Sequence, residues 1–338
     1  MAGEYTEQIL TELDAMVAAG LDRWNLSPET MVRRLNVSEN ATYALRDAAG
    51  CDRVLRVHRL GYSSPEEICS ELEWINALRD AGVIETATPL PGADGDYVQR
   101  LASRSGGAPR FAVAFERLPG GEPDAREAVR WFERLGEATA RMHAHSKVWA
   151  LPAGFRRKRW DVDAMVGPRG FWGPWRAGMG LDTAGARTLE SAIAAIRERL
   201  ECFGQGPEVF GLIHADLRLA NLLVEGERLY IIDFDDCGFG WFLYDFATAL
   251  SFIEHEPVVP DLFSAWAAGY RRVGALSPAE AAEIPTFILL RRILLTAWVA
   301  SHAELPFARD LGVGYTVGTI RLAEEWLRGE FPRRFIGA

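Results

Sequence analysis

The chain has 338 residues, 49% of them hydrophobic and 25% charged, with a formal net charge of −10. These are the proportions of an ordinary globular protein, long enough for two domains or lobes, and they exclude a disordered or collagen-like chain. The acidic balance without a long basic run argues against nucleic acid as a partner and would sooner attract a cationic small substrate.

Residues 4–24 pattern as a helix. Their acidic, amphipathic start, MAGEYTEQILTELDAM, has no charged n-region ahead of an apolar run, so no secretory signal is expected. Strand-like segments follow at 31–37, 41–47 and 52–59. Ser64-Pro65-Glu66-Glu67 is a capping box with Pro at the first helical position. It opens a helix to about Asp80, with Ile68, Leu72, Ile75 and Leu78 on its apolar face. Two more strands are expected at 95–101 and 110–118, joined by the turn SRSGGAP. Strands, one helix and strands again describe an α+β lobe on an antiparallel sheet. The breaker cluster Leu118-Pro119-Gly120-Gly121 then divides the chain into an N-terminal lobe, 1–117, and a mainly helical C-terminal lobe, 118–338.

In that second part Asp124 with Glu127 opens a helix to about His145. Residues 150–180 are irregular and rich in aromatics, and a helix is expected over 182–203. Further helices are expected at about 243–254, 259–273, 278–303 and 311–328, the third opened by a second capping box, Ser277-Pro278-Ala279-Glu280. The run ILLRRILLTAWVA is split by Arg291 and Arg292, so no membrane span is expected. The basic cluster Arg156, Arg157, Lys158 and Arg159 reads as a solvated face with some packed stems. Cys51, Cys69, Cys202 and Cys237 lack metal spacing and read as reduced, mostly buried thiols of a cytoplasmic protein.

The chemistry concentrates in HADLRLANLLV and LYIIDFDD. His214, Asp216 and Asn221 have the H-x-D-x-x-x-x-N spacing of a kinase catalytic loop, and Asp233 ends the next apolar strand. Phosphoryl transfer needs a carboxylate to orient and deprotonate the acceptor hydroxyl, and oxygen ligands to hold Mg²⁺ against the phosphates. Asp216 is the candidate base; the alternative is a loop-capping Asp. Asn221 and Asp233 are the candidate metal ligands. Asp235 and Asp236 crowd the same loop, and three carboxylates within four residues repel unless a cation neutralises them. His214 reads as a structural brace of the loop.

The chain has only two lysines, Lys147 and Lys158, so a phosphate-binding cation in the first lobe must be arginine. On the strand at 52–59, Val54, Arg56 and His58 share one face, and Leu55 and Val57 the other. Arg56, held by Glu71 of the following helix, would serve; the alternative is a surface arginine on an edge strand. Arg59, on the opposite face, is expected to matter little. The loop at 36–43 could meet phosphates with backbone N–H groups and the Ser38 or Asn40 side chains, or be a plain hairpin turn.

These segments resemble the signature of the aminoglycoside phosphotransferase and choline kinase superfamily. SENATY resembles its nucleotide loop, RVLRVHR its phosphate-binding strand, SELEWI its C helix, and FERLPGG its hinge. FILLRRILLTAWVASH looks most like the stress-response kinase and type II homoserine kinase branch. The resemblance implies a bilobal protein-kinase-like fold, ATP and Mg²⁺ as cofactors, and transfer to the hydroxyl of a small molecule. Carried over, Asp216 is the base, Asn221 and Asp233 bind Mg²⁺, Ser38, Asn40, Arg56 and Glu71 serve the nucleotide, and Asp245 braces the catalytic loop. The first lobe then binds nucleotide, and the second carries catalysis and the acceptor. The chain departs from many members in having Arg56 for lysine and Ala215 for glycine, the latter a difference of one methyl group. The motifs leave the acceptor open among aminoglycosides, amino alcohols, homoserine and sugars, and they leave the oligomeric state open. The aromatics of 150–180 and Asp161 or Asp163 either face the acceptor or pack the fold. A protein Ser/Thr kinase and a nucleotide-binding pseudokinase scaffold remain as alternatives.

Overall fold

Side-chain caps start both helices of the N-terminal part. Thr6 accepts the Ile9 backbone N–H at the head of α1 (Glu7–Ala19), and Ser64 and Glu67 close a reciprocal capping box on α2 (Pro65–Asp80). The computed structural model describes residues 5–103 and 105–335. They fall into two compact units: the first runs to Pro119 and takes in Leu151–Arg157, and the second holds Gly120–Ala150 and the chain from Lys158. The helix expected over 4–24 ends at Gly20 and is followed by a separate 3-10 turn, Leu21–Trp24.

The strands of the first unit are β1 (Met31–Val37), β2 (Ala41–Arg46), β3 (Asp52–Val57), β4 (Pro89–Leu90), β5 (Gln99–Leu101) and β6 (Arg110–Glu116). They form an antiparallel sheet in the order β1-β2-β3-β6-β4, with β5 also on β6. The strand expected over 95–101 shrinks to three residues. Upstream of it Asp94 accepts the Asp96 N–H and the Gln99 side-chain amide, so turn chemistry replaces the ladder. Leu55 and Val57 enter a core with Leu13, Met16 and Val17 of α1 and Tyr43 and Leu45 of β2. The period of two along a strand then turns Arg56 to the other face.

The second unit contains α3 (Ala128–Val148), β7 (Lys158–Trp160), α4 (Val162–Val166), α5 (Thr183–Phe203), β8 (Phe210–Ile213), β9 (Leu222–Glu225), β10 (Arg228–Ile231), β11 (Gly238–Trp241), α6 (Tyr244–Ala249), α7 (Val259–Tyr270), α8 (Pro278–Ala281), α9 (Ile284–Ser301), α10 (Pro306–Leu327) and α11 (Glu330–Arg333). α3 and α7 touch backbone to backbone through glycines. A Cβ at Gly136 would lie 2.0 Å from the Trp266 carbonyl oxygen, and one at Gly269 would lie 1.8 Å from that of Glu133. β8 pairs antiparallel with β11, β7 joins β11 in parallel, and β9 and β10 form a hairpin. These short sheets carry the loop of interest, which leaves β8 and enters β9.

One expectation is overturned and two are refined. Arg157 and Lys158 are buried, so the basic cluster is not simply a solvated face. Cys51, Cys69 and Cys202 are exposed and only Cys237 is buried. The stretch Pro278–Ser301 is long and apolar enough to cross a membrane, but 89% of its apolar window lies inside the protein, which makes α9 a core helix.

Candidate active site

β3 lies between β2 and β6, with Arg56 opposite Thr42 and Val113, so Arg56 is not on an edge strand. Its Nη2 donates to both oxygens of Glu71, at 2.6 and 2.7 Å, and its guanidinium lies 5.5 Å from the Phe115 ring centroid. Residues 38–40 form the turn of the β1–β2 hairpin, closed by the Ser38 N–H on the Asn40 carbonyl. Asn40, expected to face phosphates, is buried, and its Oδ1 accepts the Arg59 backbone N–H. Arg59, two residues beyond the end of β3, is buried too, with its guanidinium over the Tyr5 ring.

In the second unit, Asp245 at the start of α6 accepts the backbone N–H groups of His214 (3.1 Å) and Ala215 (2.7 Å). His143 Nε2 lies 3.0 Å from the same carboxylate, and Thr248 Oγ1 accepts the Leu217 N–H. Three residues, His143 of α3 and Asp245 and Thr248 of α6, thus tie down one short irregular segment. His214 is fully buried, and burial lowers its pKa below the ordinary histidine value. The neutral ring fits its contacts: Nδ1 accepts the Asp216 N–H, leaving Nε2–H for the Ile232 carbonyl at 3.1 Å. Ala215 has φ +66°. A β-carbon in that region costs about 1–2 kcal/mol, so the change from glycine is more than a methyl group.

Asp216 is where the donors converge. Its Oδ1 accepts Arg291 Nη2 at 2.8 Å, and its Oδ2 accepts Asn221 Nδ2 at 2.7 Å and Arg218 Nε at 3.2 Å. Burial alone would raise its pKa, but the charges of Arg218 and Arg291 outweigh it and hold the carboxyl below the usual range. Burial likewise works against the charge on Arg291, and Tyr244 and Asp216 overcome it, so its pKa is raised. Tyr244, beside Arg291, is pushed up to about 12, chiefly by burial. The sequence reading missed Arg291. The available signal was two arginines inside an apolar helix, since buried guanidinium groups need partners.

Asn221 spends its amide nitrogen on Asp216, which leaves Oδ1 as its remaining side-chain acceptor. Asp233 is exposed, in a left-handed backbone conformation (φ 65°, ψ 69°) at the end of the β10 segment. Among the described residues no group of three or more His, Cys, Asp or Glu side chains could hold a metal by itself. Two oxygens fit Mg²⁺ all the same, because that ion keeps waters and substrate phosphates as its other ligands. Repulsion among Asp233, Asp235 and Asp236 is weaker than their spacing suggests. Lys158 pairs with Asp236 at 3.0 Å, so one of the three acids is neutralised from within. The aromatics of 150–180 largely pack: Trp160 is fully buried against Trp172 and Tyr244. Asp161 caps α4, and Asp163 pairs with Arg197.

Residues 32–276 match the model of the phosphotransferase enzyme family. The solved structure of a microcompartment-associated aminopropanol kinase is similar over 95% of this chain and 99% of its own, at 40% identity and a TM-score of 0.87. The amicoumacin kinase of Bacillus subtilis (strain 168) is 28% identical, with 86% of this chain and 84% of that protein covered. The homoserine kinase of Beijerinckia indica subsp. indica is 30% identical, covering 69% and 73%.

Proposed function

The chain belongs to the phosphotransferase enzyme family, and from that premise we propose a cytoplasmic kinase that moves the γ-phosphate of ATP to the hydroxyl of a small amino alcohol. The observation that carries the reading is the held carboxylate of Asp216, ionised and fixed by Asn221, Arg218 and Arg291. The acceptor class follows from similarity at 40% identity to an aminopropanol kinase. Asp216 takes the acceptor's hydroxyl proton. The acceptor oxygen forms a bond to the γ-phosphorus while the bond to the β–γ bridging oxygen breaks, and that oxygen leaves with ADP. Arg56, fixed by Glu71, holds phosphate oxygens, and the 38–40 turn contributes Ser38 and its backbone, with Asn40 anchoring the turn from beneath. Mg²⁺, held by Asn221 and Asp233, would supply charge neutralisation at the phosphates.

The test is ADP release with MgATP and a panel of aminopropanol, ethanolamine, choline, homoserine and aminoglycosides. The expected result is acceptor-dependent release that is fastest with an amino alcohol and lost on chelation. Label from γ-phosphate appearing on protein alone would replace this reading with protein phosphorylation. Nucleotide binding without transfer to any acceptor would replace it with a scaffold role.

A further inference from the structure

α9 is apolar on nearly every side, yet it carries two adjacent buried arginines. Each needs a carboxylate, and each has one. Arg292 pairs with Glu254 at 2.6 Å, donates to Thr319 and lies over the Tyr315 ring, all groups with no part in the transfer step. Arg291 is different, because its carboxylate is Asp216. Its other nitrogens are also committed: Nε donates to Ser251 Oγ at 3.0 Å and Nη1 to the Tyr244 hydroxyl at 3.4 Å. The Trp172 ring centroid is 5.5 Å away. A planar fork fastened at three points cannot swivel, and a carboxylate bound to it inherits that orientation. Of the other donors to Asp216, Arg218 is partly exposed and can give way, whereas Asn221 reaches only Oδ2 and the backbone carbonyl.

We propose that Arg291 is a positioning residue of the transfer step: it grips Oδ1 of Asp216 so that the carboxylate stands in the orientation that receives the acceptor hydroxyl. The inference rests on reading Asp216 as the group that takes the proton. It concerns orientation, and so predicts a loss in kcat with substrate binding kept.

The experiment compares wild type, Arg291→Gln, Arg291→Lys, Asp216→Asn and the double variant Asp216→Asn/Arg291→Gln. Turnover is measured with MgATP and aminopropanol, or with the panel acceptor that releases ADP fastest. Folding is checked by thermal melting. Arg291→Gln should lower kcat by about 10²-fold, the scale of a misplaced reacting group, with both KM values held within about threefold. Arg291→Lys should recover roughly a tenfold part of that loss, since it returns charge without the fork. In the Asp216→Asn background, Arg291→Gln should change the residual rate by no more than about twofold, because the carboxylate it serves is gone. A similar drop in that background, or wild-type kcat in a folded Arg291→Gln, overturns the positioning role. Should Arg291→Gln fail to fold, a kcat for Arg291→Lys equal to wild type decides against it. Full turnover in Asp216→Asn is a separate result: it removes the base assignment itself.

Discussion

The two buried arginine–carboxylate pairs, Arg56–Glu71 in the first unit and Arg291–Asp216 in the second, are built in opposite senses. In the first the carboxylate is the deeper partner, with side-chain exposures of 7% for Arg56 and none for Glu71. In the second the cation is deeper, with 2% for Arg291 and 15% for Asp216. Glu71 gives both oxygens to one nitrogen of Arg56, whereas Asp216 divides its oxygens among three side-chain donors. In the proposed reaction the partner nearer the surface is the one that acts: Glu71 holds the phosphate-binding cation, and Arg291 holds the base. A buried ion pair gives little net stability, so its orientation says more about function than its presence does.

The strongest way to break this contrast is at Asp216. Asp216→Asn should keep ATP binding and lower kcat by roughly 10²–10⁴, the range of a positioned general base, with some loss of stability because buried Arg291 is left without its carboxylate. Turnover with an identified acceptor and calorimetry with ATP measure the two halves, and full turnover would falsify the assignment. The first pair should fail differently. Arg56→Ala should weaken ATP binding by roughly 10- to 100-fold, the loss of charge-assisted bonds worth about 1.5–3 kcal/mol. Glu71→Gln should follow in the same direction with a smaller effect, and Arg56→Lys should keep part of the affinity. Titration calorimetry with MgATP separates them, and unchanged affinity in Arg56→Ala would mean that the pair is only structural. The smallest change is at the loop that carries Asp216. Ala215→Gly should raise stability by about 1 kcal/mol or less, because the relief at φ +66° is partly offset by the entropy of glycine. Denaturant unfolding checks it, and a lower midpoint would mean that the Ala215 methyl packs well enough to repay the strain.

Much of this was legible in the sequence, and the reason is local. The 214–221 spacing, the Ser64–Glu67 and Ser277–Glu280 capping boxes, and the alternation that sends Arg56 away from Leu55 and Val57 are all set by short-range geometry. The lack of lysine before residue 147 left arginine to take lysine's place in the first lobe. Asp245 was implied by resemblance, and its two bonds to the loop backbone are in place. The strands β7 and β11 were not legible, because each is three or four residues long and rich in aromatics or glycine, too short for a period to show.

The sequence by itself determined the family, the order of the longer elements and most of the side chains that could do chemistry, because those follow from backbone periods, caps and spacings within a few residues. Apart from the Arg56–Glu71 pair, only the tertiary structure decided which of them are partners. Arg291 lies 75 residues from Asp216 in the chain, and Lys158 lies 78 from Asp236. Asn40 turned inward to Arg59, and the exposed or buried end of each ion pair was chosen, when the chain closed on itself. Such pairings are fixed by the desolvation cost of burying a charge, which the chain meets with whatever opposite charge the fold brings within reach, and no local pattern records which one that is.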